Sequence, residues 1–181
     1  EPPLIRIGAP AHDRTKPYIP QFLAARSGFG RLAELMGEYG TKALYEIHTG
    51  TLAVTCSRAL ELLRDLDPQR IGAIYDVPNM VRVGLEDTRM GMEILGSYLA
   101  HVHIGNGLLV NRDRDEHGQQ QWSWEFCELR EGVADIPQIV QDLHDLRYGG
   151  YVSLEQFGPG DDDRKVKEEG DYLRALAQHM G

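Results

Sequence analysis

The stretch VSLEQF, residues 152–157, decides how this chain is read. Val152 and Leu154 suit a strand, but Glu155 does not suit its buried end. A carboxylate there is costly unless something pairs with it. The same misfit recurs at Glu46 in ALYEIHTG (43–50), Asp76 in AIYDVPN (73–79) and His103 in LAHVHIGN (99–106). Four short apolar runs therefore each end in a charged or metal-binding side chain.

Working outward, apolar runs alternate with helical patterns. LIRIG (4–8) reads as a strand, and a helix is expected around residues 30–37 with Leu32, Leu35 and Met36 on one side. KALYEIH is the second strand. Ser57 is expected to cap a helix with Leu60, Leu63 and Leu66 on its apolar face. IGAIYD is the third strand, and a helix near Asp87 carries Met90, Ile94 and Leu95. YLAHVHI is the fourth strand. Asp135 caps a helix with Ile136, Ile139, Val140, Leu143 and Leu146 inward, stopped at Gly149 and Gly150. YVSLEQF is the fifth strand, and Val166, Leu173 and Leu176 mark the closing helix. The acidic run Asp161–Asp163 fits that helix's N-terminus, where negative charge is favourable.

Strand–helix alternation implies a parallel sheet. Glu46 lies 30 residues before Asp76, and Asp76 lies 27 before His103, about one βαβ unit each. The step from His103 to Glu155 is 52 residues and holds a long insertion, residues 105–132. Connections of that length are usually functional or disordered. Within each strand one face is apolar: Tyr45 and Ile47, Ala73 and Tyr75, Val102 and Ile104, Val152 and Leu154. The other face carries Glu46 and His48, Asp76, His101 and His103, Ser153 and Glu155. Residues two apart share a face, so the polar groups converge at the C-terminal strand ends. That is where (β/α)8 barrels keep their active sites. A doubly wound sheet would more naturally present a glycine-rich turn, and the sequence has no GxGxxG or P-loop.

The expected fold is thus an α/β (β/α)8 TIM barrel. Complete barrels run to about 250 residues. The five strands read as the last five units, in one domain over residues 1–181, with the first units missing or supplied by another chain. Two glutamates, an aspartate and a histidine make an oxygen-rich donor set. Gathered at one mouth, they call for a cation, with Mn²⁺ expected first and Mg²⁺, Co²⁺ or Zn²⁺ as alternatives.

The 181 residues are 41% hydrophobic and 26% charged, an ordinary globular composition. The net charge of -9 argues against a broad phosphate-gripping surface, so no nucleic-acid partner is expected. No run approaches the ~20 apolar residues of a membrane helix, and the first residues lack a secretory signal pattern. Cys56 and Cys127 read as free thiols, and the expected location is cytoplasmic.

Several segments make the chain similar to a known group: YEIHTGT, IYDVPNMVRVG, HVHIGN and REGVADIPQIVQDLHDLRYGGYVSLEQF. It resembles the sugar phosphate isomerase/epimerase family of xylose isomerase-like TIM barrels, which includes ketose 3-epimerases and endonuclease IV. The resemblance implies that Glu46, Asp76, His103 and Glu155 hold one divalent metal. It also implies that Glu46 and Glu155 exchange protons with a substrate carbon. The implied function is a metal-dependent sugar or polyol-ketone isomerase or epimerase, working through a metal-stabilised enediolate. Three alternatives stand beside it: a dehydratase or lyase on a keto-sugar or inosose, an endonuclease IV-like nuclease, and a non-catalytic sugar-binding barrel. Asn79, Leu52 and Leu109 stand where the ketose epimerases carry a histidine, a second glutamate and an arginine, which points away from ketohexose 3-epimerisation itself.

Four further residues are candidate substrate contacts. His48 either touches substrate or orients Glu46, and Asn79 occupies the substrate-histidine position. Arg112 could bind an anionic group, although the run around it reads first as a solvated turn. Trp122 and Trp124 either form a sugar-stacking lid or anchor the insertion. His101 is read as an interior hydrogen-bonding residue. The expected partner is a small sugar or polyol, and the expected assembly is a homo-oligomer.

Overall fold

The computed structural model of the protein describes residues 2–84 and 86–179. Its central element is a five-stranded sheet, built from β1 (Leu4–Ile7), β2 (Lys42–Glu46), β3 (Ile71–Asp76), β4 (Leu99–Ile104) and β7 (Tyr151–Leu154). The spatial order is β1-β2-β3-β4-β7, and the β1–β2 and β2–β3 pairs are parallel. A doubly wound sheet reverses its strand order at a switch point. Here each strand lies beside its predecessor, as in a (β/α)8 barrel. The sheet supplies part of such a barrel.

Two compact units are present. The first runs up to Val102 and takes in Gly150–Val152. It contains α1 (Tyr18–Tyr39), α2 (Cys56–Leu63), α3 (Val77–Val83) and α4 (Thr88–Leu95). Helix α1 is much longer than the eight residues expected from the sequence. Gly28 and Gly30 do not break it, because Phe22, Ala25, Phe29, Ala33 and Met36 form one continuous buried stripe across them. It ends at Gly40, whose φ of 62° is the left-handed turn that closes a helix back onto Met36 O. Phe29 meets Tyr45 edge-on, with ring centroids 5.4 Å apart, so the Tyr45 face of β2 packs on α1. Glu46, one residue on, faces the opposite way.

The cap of α2 differs from expectation. Thr55, not Ser57, accepts the Arg58 N–H, and Glu86 takes the N–H groups of Cys56 and Ser57. A carboxylate from a distant loop therefore does what a local serine was expected to do. Helix α4 starts near Asp87 as expected, with Asp87 as its cap accepting from Met90 N–H, but Met90 itself is exposed.

The second unit comprises His103–Gly149 and Ser153–Gly181. The long insertion is not an irregular loop. It is an antiparallel hairpin of β5 (Asn106–Arg114) and β6 (Gln120–Cys127). Gly107 is required there, since a Cβ would come within 2.4 Å of the Trp124 ring that lies over it. Asn106 ties the base of the hairpin together. Its Nδ2 donates to Leu129 O and Ala134 O, and its Oδ1 accepts from the N–H groups of Gly107 and Ala134. Helix α5 (Ile136–Asp145) is capped by Asp135, and α6 (Asp162–Gln178) by Asp161, both as the sequence implies.

Helix α6 departs from its apolar pattern. Val166 is exposed, whereas Lys165 and Glu169 are buried. Lys165 Nζ donates to Gly158 O at 2.6 Å and pairs with Asp162 at 2.7 Å. Glu169 Oε1 accepts from Leu129 N–H and Gln156 Nε2. Lys165 is thus paired in its buried position, whereas Glu169 is held by one oxygen alone.

Candidate metal centre

Each proposed ligand arrives by a different element. Glu46 is the last residue of β2 and Asp76 the last of β3. His103 is the penultimate residue of β4, and Glu155 follows β7 directly, its N–H donating to Ile104 O at 2.8 Å. Apolar neighbours fill the other side of these strands, so the polar side chains have one direction left. Glu46 and Asp76 are buried, and His103 and Glu155 are half-buried. One ligand atom from each of the four lies within 4.8 Å of the others. His103 Nδ1 and Glu155 Oε2 are 3.5 Å apart.

The donor set fits a hard or borderline divalent ion. With metal–ligand bonds of about 2.0–2.2 Å, two ligand atoms on one ion are at most about 4.4 Å apart. The group would therefore close by a few tenths of an ångström around a cation, within reach of side-chain rotation. Three carboxylates this close also repel one another without a positive charge among them.

Asn79 is buried, and both its N–H and its Nδ2 donate to Asp76 Oδ1, each at 2.8 Å. Its own Oδ1 accepts from Thr49 N–H at 3.0 Å. Asn79 thus fixes Asp76 and links it to the loop after β2. His48 is exposed beyond the end of β2, and its Nδ1 lies 2.7 Å from Thr49 O. Arg112 lies on the hairpin, paired with Glu125 and donating to Ser123 Oγ at 2.7 Å. Trp122 is exposed on the same hairpin opposite Asn111, while Trp124 is half-buried over Gly107. None of these last three belongs to the four-residue group.

One residue at the centre was missed in the sequence. Arg6 of β1 forms an ion pair with Glu46 Oε2. The signal was available: in LIRI, Leu4 and Arg6 share one face of the strand, so an arginine sits in a position otherwise apolar. Read as a strand alone, the segment gave no reason to ask what Arg6 faced.

Both cysteines are free. Burial pushes the Cys56 thiol well above its ordinary value, with Glu86 adding to the effect, and burial also raises Cys127. Neither is a thiolate poised for chemistry. Among the described residues no helix is long and apolar enough to cross a membrane.

The family model for xylose isomerase-like TIM barrels matches residues 4–176. An inosose dehydratase of Geobacillus thermodenitrificans is 26% identical over 133 residues, covering 71% of this chain and 44% of that protein. The chain thus spans less than half the length of that relative. Among solved structures, the probable 3-DHS dehydratase AsbF of Bacillus anthracis superposes with a TM-score of 0.75 at 21% identity, covering 94% of this chain and 63% of that one. An L-ribulose 3-epimerase does so with a TM-score of 0.74 at 15% identity, covering 97% and 62%. At such identities the structural likeness speaks for the fold.

Proposed function

The chain belongs to the xylose isomerase-like TIM-barrel family, and from that premise we propose that it is a divalent-cation-dependent isomerase or epimerase of sugars or polyol ketones. The observation that carries this reading is the convergence of Glu46, Asp76, His103 and Glu155 from four neighbouring strands. In this reading the four residues hold one divalent cation. When bound, such an ion supplies Lewis-acid polarisation of substrate oxygens, which acidifies the adjacent C–H.

The remaining chemistry belongs to the chain. One of Glu46 and Glu155 takes the proton from the carbon next to the carbonyl, and the C–H electron pair moves toward the carbonyl oxygen. The other, protonated at the start, returns a proton to the opposite face for epimerisation; for isomerisation the proton goes to the former carbonyl carbon, while the hydroxyl proton of the first carbon passes to the former carbonyl oxygen. Their places on β2 and after β7, with β3 and β4 between, suit two carboxylates acting from different sides of a bound substrate. Asp76 and His103 hold position, and Asn79 keeps Asp76 turned. His48, Arg112 and Trp122 remain candidate substrate contacts from the loop after β2 and from the hairpin.

Dehydration is the second reading, favoured by the similarity to an inosose dehydratase. The first proton removal is the same. The outcome differs if a hydroxyl one carbon further leaves as water, with the second carboxyl group giving it the proton. Incubation of the full-length protein with ketoses and inososes in D₂O with Mn²⁺ tests both. Deuterium at carbon without loss of water supports the first reading, and loss of water with a new enone absorbance supports the second. Neither signal in the metal-loaded protein across the panel would sink both.

A further inference from the structure

Arg6 and Leu44 are register partners on the parallel pair β1–β2, and Glu46 lies two residues beyond Leu44 on the same face. The backbone thus aims Arg6 at Glu46, and its guanidinium bonds Oε2 of that carboxylate. The Glu46 side chain is 5% exposed and that of Arg6 60% exposed. The pair therefore joins a buried anion to a cation reaching in from solvent.

Asp76 offers the comparison. Its Oδ1 is held by Asn79, a neutral donor, whereas Glu46 Oε2 is held by a full positive charge. Donors behind a ligand orient it for the ion in both cases. Only the charged donor also repels the ion and competes with it for the ligand.

We propose that Arg6 is a positioning residue of the cation site, holding Glu46 by one oxygen and weakening the grip of the site on its ion. This rests on the reading of the four residues as a cation site. A fixed charge beside Glu46 keeps that carboxylate oriented whether or not the ion is present. It also offsets negative charge that would otherwise hold the ion more tightly. The epimerase or dehydratase outcome does not enter into it.

The test is Mn²⁺ affinity of the full-length protein, by calorimetry and by the Mn²⁺ electron paramagnetic resonance signal. Four forms are compared: wild type, Arg6→Leu, Arg6→Gln and Arg6→Lys. Loss of the charge in Arg6→Leu and Arg6→Gln tightens Mn²⁺ binding about tenfold and alters the resonance line shape. Arg6→Lys keeps the charge but not the planar fork, and returns the affinity to within about threefold of wild type. A merely structural arginine would leave affinity unchanged or weaken it. If Arg6→Leu does not melt cooperatively without metal, Arg6→Gln decides, because it keeps a hydrogen-bond donor. Unchanged or weaker affinity in the folded neutral variants overturns the role of Arg6 alone. Absence of Mn²⁺ binding by the wild type overturns the cation site itself.

Discussion

Asp76 ends β3, caps α3 through the Asn79 N–H, and joins the candidate metal group. In the proposed reading one aspartate thus both caps a helix and supplies a ligand, and Asn79 holds its Oδ1. Truncating Asn79 to Ala leaves Thr49 N–H without its acceptor and frees Asp76 to rotate. Asn79→Ala is expected to weaken Mn²⁺ binding about 10- to 100-fold, measured by calorimetry; full affinity would show that Asp76 needs no such support. Glu169 is the other informative residue. Burial raises its pKa above the usual carboxylate value, outweighing its bonds from Gln156 and Leu129. Its Oε2 is buried without a hydrogen-bond partner. A carboxyl whose folded pKa is raised binds its proton more readily in the folded state. Stability therefore falls as pH rises from the unfolded value of about 4.5 through the folded one, and the penalty is complete above it. Glu169→Gln, neutral throughout, should gain a few degrees in melting temperature at pH 8 relative to wild type and lose that advantage near pH 4. An equal shift at both pH values would show that ionisation is not the cause.

At the scale of elements, the hairpin β5–β6 is the main addition to the alternating pattern. Two-stranded ribbons are marginal in water by themselves. Here Asn106 anchors the base by bonds to residues 107, 129 and 134, and Gly132 gives it room, since a Cβ there would lie 2.1 Å from Asn106 Oδ1. Asn106→Ala leaves several buried groups unpaired and is expected to cost about 3 kcal/mol in urea unfolding. Asn106→Asp keeps the acceptor but sets a buried carboxyl oxygen against Leu129 O and Ala134 O, and should cost at least as much as Asn106→Ala at neutral pH. A cost below about 1 kcal/mol for Asn106→Ala would mean that water replaces the side chain. The sequence showed this segment as long and aromatic. It did not show the strands, because polar residues occupy much of both faces and the period-two signal is faint.

At the scale of the whole molecule, a cation held by the four residues, as proposed, would couple the site to stability. An ion that binds the folded state alone stabilises it by about 2.7 kcal/mol at one hundred times its dissociation constant. For a protein of this size that is roughly 5–10 °C in melting temperature. Chelation with EDTA should therefore lower the melting temperature by about this amount, and Mn²⁺ should restore it. Glu155→Gln, measured the same way, should show a much smaller metal-dependent shift. No change on chelation of a metal-loaded protein would argue that the four residues do not hold an ion.

Much of this molecule was legible in order of residues alone. Period-two alternation with one polar face singled out the four residues of the candidate site and pointed to a barrel rather than a doubly wound sheet, and strand–helix alternation implied that the sheet is parallel. Those features are local or regularly periodic, so a linear chain records them. What needed the tertiary structure was every pairing between distant residues: Arg6 with Glu46, Glu86 with the start of α2, Asn79 with Thr49, and Lys165 and Glu169 in buried positions. Whether a charged side chain is buried depends on which partner the folded chain brings to it. That partner lies at no fixed distance along the sequence, so only folding decides it.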